Sequence, residues 1–225
     1  MTDRRETDRT MDRKGILIVV SGYSGVGKGT LMKAVTARYS QYALSISVTT
    51  REPRENELDG REYFFKTREE FDEMIDRGEL IEYALFCGNY YGTPKKYVEE
   101  QLRRGRDVIL EIEQKGARQI KEKVPDSVLV FAMPPDAATL EMRLRGRGTE
   151  PEEVIRQRLL KAVEESTYVD NYEYMIVNGD LDKAVEEFHQ LVESQHKELD
   201  RNLEFAQEIQ DELKHLVSVK YPGAE

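Results

Sequence analysis

The stretch Gly22-Tyr23-Ser24-Gly25-Val26-Gly27-Lys28-Gly29-Thr30 carries the most evident chemistry in this chain. Its glycines let the backbone curl until several N–H groups share one concavity, and Lys28 stands where a helix begins. Backbone amides, the positive end of that helix and one ammonium group together make a seat for nucleotide phosphates. Ser24, Gly25, Val26, Gly27, Lys28, Gly29 and Thr30 are therefore candidate contacts for a nucleoside triphosphate. A second group of residues suits another phosphate. In Ser45-Ile46-Ser47-Val48-Thr49-Thr50-Arg51-Glu52-Pro53-Arg54, two arginines three apart and flanked by hydroxyls offer forked N–H donors. Further on come Glu79-Leu80-Ile81-Glu82 and Gly88-Asn89-Tyr90-Tyr91-Gly92-Thr93-Pro94. Any one of these pieces alone reads as a solvated loop or plain strand, but alongside the phosphate seat they suggest a second ligand.

The elements that must position these residues follow from local pattern. The apolar run 15–21 is a buried strand feeding the glycine turn, and a helix follows from Lys28 to about Tyr39 with Leu31, Ala34 and Val35 inward. Residues 43–48 read as a second short strand, and Pro53 and Asp59-Gly60 then favour turns. Tyr63-Phe64-Phe65 reads as a strand, and Thr67 caps a helix with Glu70 in the capping-box position. Two strands are expected over 80–91, joined around Cys87-Gly88-Asn89, and a helix from Pro94. The runs 107–112 and 127–132 are short and apolar, as strands buried on both faces of a parallel sheet are. A helix opened by Pro134-Pro135-Asp136, another from Pro151 to about Val169, a strand at 174–177 and a helical last forty-odd residues complete the order. Strands alternating with helices indicate an α/β doubly wound parallel sheet. The strand-rich region of about 45–94 reads as an insertion forming a small second domain.

Composition narrows the function classes. The chain has 225 residues, one cysteine and a net charge of −10. One cysteine leaves no intramolecular disulfide and fits a reducing cytoplasm. The negative balance argues against nucleic-acid partners, and no apolar stretch approaches the roughly twenty residues of a membrane span. Residues 1–14 are densely charged, without the apolar run of a signal peptide, and read as a frayed, disordered tail. His189, His196 and His215 are too widely spaced for a compact zinc motif.

With these pieces in order, the chain resembles the guanylate kinase family over about residues 15–195. The strings are SGYSGVGKGT, SISVTTREPR, DGREYFF, ELIEYALFCGNYYGTP, VILEIEQKGARQIK, PPDAATLEMRLRGRGTEPEEVIRQRL and YMIVNGDLDKA. The resemblance implies a P-loop nucleoside monophosphate kinase fold with an inserted GMP-binding domain and a helical lid over about 136–170. It implies phosphoryl transfer from ATP to GMP, and to dGMP, with Mg2+ required, by a monomer or homodimer of the cytoplasm. Carried onto this sequence, Lys28, Arg51, Arg147 and Arg158 would be catalytic. Arg51, Arg54, Tyr63 and Tyr91 would grip the GMP phosphate. Ser47, Glu82 and Thr93 would meet the guanine, with Glu113 beside them.

Some positions depart from the family pattern. Gly29 stands where many phosphate loops place the magnesium-binding Ser or Thr, so Mg2+ would be held by Thr30, by waters and by ATP oxygens. Tyr23 replaces a usual proline, at a position expected to face away from the phosphates. Asn56 replaces a glycine, which asparagine can do because it tolerates left-handed backbone angles. Glu113 stands where aspartate is expected, and its extra methylene either crowds the guanine or reaches it from further back. Residues 196–225 lie past the family's usual end. Their stripe Leu199, Leu203, Ala206, Ile209, Leu213 and Leu216 suits folding back on the core or pairing with another subunit. Two other functions compete: a non-catalytic, protein-binding module of the same family, and a phosphosugar kinase on the same scaffold. The first would be expected to lose Lys28 or the arginines, and the second would leave Glu82 and Tyr91-Gly92-Thr93 without purpose.

Overall fold

The computed structural model of the protein describes residues 14–86, 88–146 and 151–222. In chain order its first elements are β1 (Leu17–Gly22), α1 (Lys28–Arg38), β2 (Tyr42–Leu44), β3 (Val48–Thr49), β4 (Phe64–Phe65), α2 (Arg68–Asp76), β5 (Leu80–Phe86) and β6 (Asn89–Pro94). There follow α3 (Lys95–Arg103), β7 (Asp107–Glu111), α4 (Gln114–Lys123), β8 (Val128–Met133), α5 (Ala137–Arg145), α6 (Glu152–Ser166), β9 (Tyr174–Val177), α7 (Leu181–Gln195) and α8 (Leu203–Lys220).

The short apolar runs lie side by side in a five-stranded parallel sheet of order β2-β7-β1-β8-β9. Both faces are buried, as the unbroken apolar character of β1, β7 and β8 requires. Leu17, Val19, Val108, Leu110 and Leu129 pack with Val98 of α3 and with Ala117 and Ile120 of α4. Alternation along a strand turns Ile18, Val20, Ile109 and Val130 to the opposite face, and these too are buried, as are Leu31, Met32 and Val35 of α1. The fold is therefore α/β, a parallel sheet flanked by helices. Tyr23 does face away from the glycine turn, its ring packed edge-on against Phe131 at 5.1 Å.

The expected single strand over 43–48 is instead two strands in two sheets. Ser45 N–H donates to Ile109 O at 2.9 Å, the last bond to the parallel sheet, and Phe64 N–H donates to Ser47 O at 2.9 Å in a second sheet. That sheet has the order β4-β3-β6-β5, with β3, β6 and β5 antiparallel and β4 parallel to β3. Alternating residues could not reveal this, because the apolar run serves a different partner at each end. The second sheet has its own small core of Val48, Phe71 and Leu80. Phe71 comes from α2, whose start carries the full Thr67–Glu70 capping box. Asn56 takes the expected left-handed conformation, with φ of 69°.

Residues 14–188 form one compact unit containing both sheets. The described residues from 189 onward belong to a second unit, with the end of α7, a 3-10 turn at Leu199–Asn202 and α8. No residue of α8 is buried. Residues 1–13 of the expected tail, Cys87 and Arg147 lie outside the described residues.

Candidate active site

The turn between β1 and α1 folds as its glycines allow. Gly27 caps α1 with φ of 95°, and a Cβ there would stand 2.8 Å from Asn178 Nδ2. Both the left-handed angle and the close approach call for glycine. Asn178, just past β9, is buried and donates to Val26 O at 2.9 Å. Arg143 of α5 donates to Val26 O at 3.0 Å and to Asn178 O at 2.7 Å. The outer side of the loop is thus clamped by two residues that the motif alone did not single out. Val26 is fully buried and its N–H is bonded to Tyr23 O, so its contribution is to the loop's shape. On the inner side Lys28 Nζ donates to Gly22 O at 2.7 Å, and Ser24 N–H donates to Glu165 Oε2 at 3.2 Å.

A cleft of about 630 Å³ opens from this loop toward the second sheet. Ser24, Gly25, Gly27, Lys28, Gly29 and Thr30 line one end. Ser47, Arg51, Arg54, Tyr63, Glu82 and Tyr91 line the other, with Glu113 and Arg158 on its wall. The structure brings together nearly every residue singled out in the sequence. Thr93 is not on the lining; its hydroxyl donates to Glu82 Oε1 at 2.6 Å, behind the carboxylate. Thr49 and Thr50 are occupied by the fold: Thr49 Oγ1 donates to Tyr90 O and Thr50 Oγ1 accepts from Tyr90 N–H.

The arginine end is organised by Glu57, which lines the cleft and was not among the candidates. Its carboxylate accepts from Arg51 Nη2 at 3.0 Å and from Arg54 N–H at 2.8 Å. Desolvation raises the Glu57 pKa, but the Arg54 N–H and then Arg51 more than offset it, leaving the group below the ordinary carboxylate range. Arg51 also lies 5.2 Å over the Tyr63 ring, whose edge meets Tyr91 at 5.9 Å. A guanidinium braced on an aromatic face and a carboxylate is preorganised to receive an anion. At the far wall burial pushes the Glu82 carboxyl up to about 7, against the pull of Thr93 and Lys123.

Two more acidic groups line the cleft. Glu111, at the end of β7, opens into the cleft, yet the surrounding walls desolvate it and raise its pKa against Lys28 and Lys33. Its Oε2 would stand 3.5 Å from a Cβ at Gly29. Glu113 does not stand alone: its Oε2 pairs with Lys161 Nζ at 3.2 Å, and that ammonium sits 3.6 Å over the Phe86 ring. Glu57, Glu111, Arg143, Glu165 and Asn178 were hidden in sequence because single charged or amide residues on strand ends and helices carry no spacing signal.

Comparison with known proteins agrees with this geometry. The family model described as Guanylate kinase matches residues 14–195. The chain belongs to the guanylate kinase family. It is 48% identical over 204 residues to the guanylate kinase of Lactococcus lactis subsp. lactis, covering 91% of this chain and all of that one. To the guanylate kinase of Streptococcus thermophilus it is 49% identical over 192 residues, 85% of this chain and 92% of the relative. The crystal structure of guanylate kinase from Anaplasma phagocytophilum superposes with a TM-score of 0.70 at 29% identity, covering 94% of this chain and 98% of that one. This likeness extends to a guanylate kinase structure the P-loop kinase architecture seen in the two sheets.

Proposed function

We propose that this chain transfers the γ-phosphoryl group of ATP to GMP, and to dGMP, giving ADP and the nucleoside diphosphate. The observation that carries the reading is one cleft with a lysine-bearing phosphate loop at one end and, at the other, a paired-arginine anion seat beside the buried carboxylate of Glu82. The loop amides and Lys28 bind the triphosphate, and Arg51 and Arg54 bind the acceptor phosphate. Guanine presents N1–H and N2–H2 along one edge, and an ionised Glu82 accepts both. Adenine would aim a lone pair at the same carboxylate, and an unpaired buried charge discriminates by several orders of magnitude. Ser47 adds a hydroxyl at the same end.

An acceptor phosphate oxygen attacks the γ-phosphorus as the bond to the ADP oxygen breaks. That oxygen is already anionic, so no general base is required. The protein's part is positioning and charge stabilisation by Lys28, Arg51, Arg54 and Arg158, with Arg147 from the lid. The lid, about 136–170, closes to exclude water as a competing acceptor. Among the described residues no group of three or more His, Cys, Asp or Glu could cage a metal. Mg2+ suits such a site, because it keeps its waters and shares phosphate oxygens, needing one carboxylate or hydroxyl from the protein. Glu111 and Thr30 would hold it, and when bound it neutralises charge on the phosphates. Lys28, Arg51 and Arg54 are all present, which supports an enzyme over a protein-binding module, and Glu82 supports a purine over a sugar phosphate. The protein's substrates are cytoplasmic nucleotides, and we place it there, acting as a monomer or homodimer without nucleic acid or membrane.

Purified protein with ATP and Mg2+ is offered GMP, dGMP, AMP, CMP and UMP in turn while ADP release is followed. Turnover with the two guanine nucleotides alone is expected. Turnover with AMP equal to that with GMP would overturn the reading.

A further inference from the structure

Gly116 lies in the first turn of α4, where its backbone is helical and alanine would be the better residue by propensity. The reason for glycine is therefore space. A Cβ at this position would stand 2.6 Å from Glu82 Oε2 and 3.1 Å from Glu82 Cδ. The same helix grips the strand on both sides of that residue. Lys123 Nζ donates to Ile81 O at 2.6 Å, and Gln119 Nε2 donates to Tyr83 O at 2.8 Å. The backbone of β5 is thereby tied to α4 at Ile81 and Tyr83, while the side chain between them is seated on a residue with no side chain of its own.

We propose that Gly116 is a specificity-positioning residue of the acceptor site: its missing side chain sets how far back the Glu82 carboxylate sits, and so where the guanine edge is met. The inference rests on the reading that Glu82 receives guanine. A methyl group at 116 collides with the far end of a flexible side chain and with no backbone or core atom under 3.0 Å. The fold absorbs it by moving the carboxylate, with Ile112 Cδ1, at 3.2 Å, yielding by a few tenths of an ångström, and neither group belongs to the phosphate loop. The burden falls on acceptor recognition.

Four proteins test this: the unaltered chain, Gly116→Ala, Glu82→Ala and the double variant. Steady-state kinetics are measured with ATP, GMP and the 2-deamino analogue IMP, alongside thermal melting. Gly116→Ala is expected to raise KM for GMP at least tenfold, hold KM for ATP within twofold, and narrow the preference for GMP over IMP. In the Glu82→Ala background the same substitution is expected to change kcat/KM for GMP less than twofold. Unaltered GMP kinetics in Gly116→Ala, or an equal loss with and without the Glu82 carboxylate, would overturn the proposal. Unaltered GMP kinetics in Glu82→Ala would instead overturn the acceptor-site reading beneath it. Should Gly116→Ala melt too low to assay, Glu82→Asp withdraws the carboxylate from position 116. Gly116→Ala is then expected to fold in that background, and a failure to do so would equally overturn the proposal.

Discussion

Thr93 Oγ1 donates a 2.6 Å hydrogen bond to Glu82 Oε1, with the two residues only 1% and 3% exposed. The pair crosses between neighbouring antiparallel strands, so the hydroxyl fixes the orientation of the carboxylate.

Replacing Thr93 with valine keeps the β-branched shape and removes the donor. A buried hydrogen bond to a charged group is worth about 1.5–3 kcal/mol, or roughly ten- to a hundredfold in an equilibrium constant. Thr93→Val is expected to raise KM for GMP by about that factor and leave KM for ATP within twofold, measured by initial rates at saturating co-substrate.

Glu82 also predicts a pH dependence. Burial, the largest influence, raises its pKa from the ordinary 4.5 to about 7, so between those pH values the folded protein holds a proton there that the unfolded chain has lost. This group's contribution to stability is present below the unfolded value and is lost as pH rises through the folded one, so it declines between pH 4.5 and about 7. Guanine binding follows the opposite sense, since it needs the ionised carboxylate. The kcat/KM for GMP is expected to fall several-fold from pH 7 to pH 6. Phosphate monoesters titrate near pH 6 themselves, so the profile is compared with that of Glu82→Gln, which should lack the Glu82 limb.

Arg143 donates to three backbone carbonyls, those of Val26, Asn178 and Gly179. Arg143→Met retains the apolar stem and removes all three. With partial exposure discounting each charged bond, a loss of about 2 kcal/mol is expected, or a melting temperature lower by about 4–8 °C. KM for ATP should rise with it, because the phosphate loop loses a clamp. Thermal melting with and without ATP measures both.

Glu113 pairs with Lys161, at side-chain exposures of 46% and 28%. An ion pair this open to solvent is worth about 0–1 kcal/mol. Glu113→Asp shortens the carboxylate away from the ammonium, so stability is expected to shift by less than about 1 kcal/mol. KM for GMP should stay within about threefold, because the carboxylate is engaged by Lys161. Denaturant melts and GMP kinetics check the two expectations.

The sequence by itself determined the alternation of strands and helices, the phosphate loop and the family, because each is written in contiguous residues. Glycine spacing before Lys28 and short apolar runs between helices need no knowledge of distant partners. The Thr67 capping box and the left-handed Asn56 were legible for the same reason: their physics is local. The run 43–48 was read as one strand because periodicity records which side chains are buried, not which sheet buries them. Only the tertiary structure showed that Ser45 and Ser47 bond to different sheets. It alone decided that Glu57 braces the two arginines, that Arg143 and Asn178 clamp the loop from behind, and that Glu113 turns to Lys161. Those contacts join residues far apart in the chain, and a lone charged side chain carries no mark of its partner. The same holds for Gly116, an unremarkable helical glycine until the fold sets the Glu82 carboxylate against it.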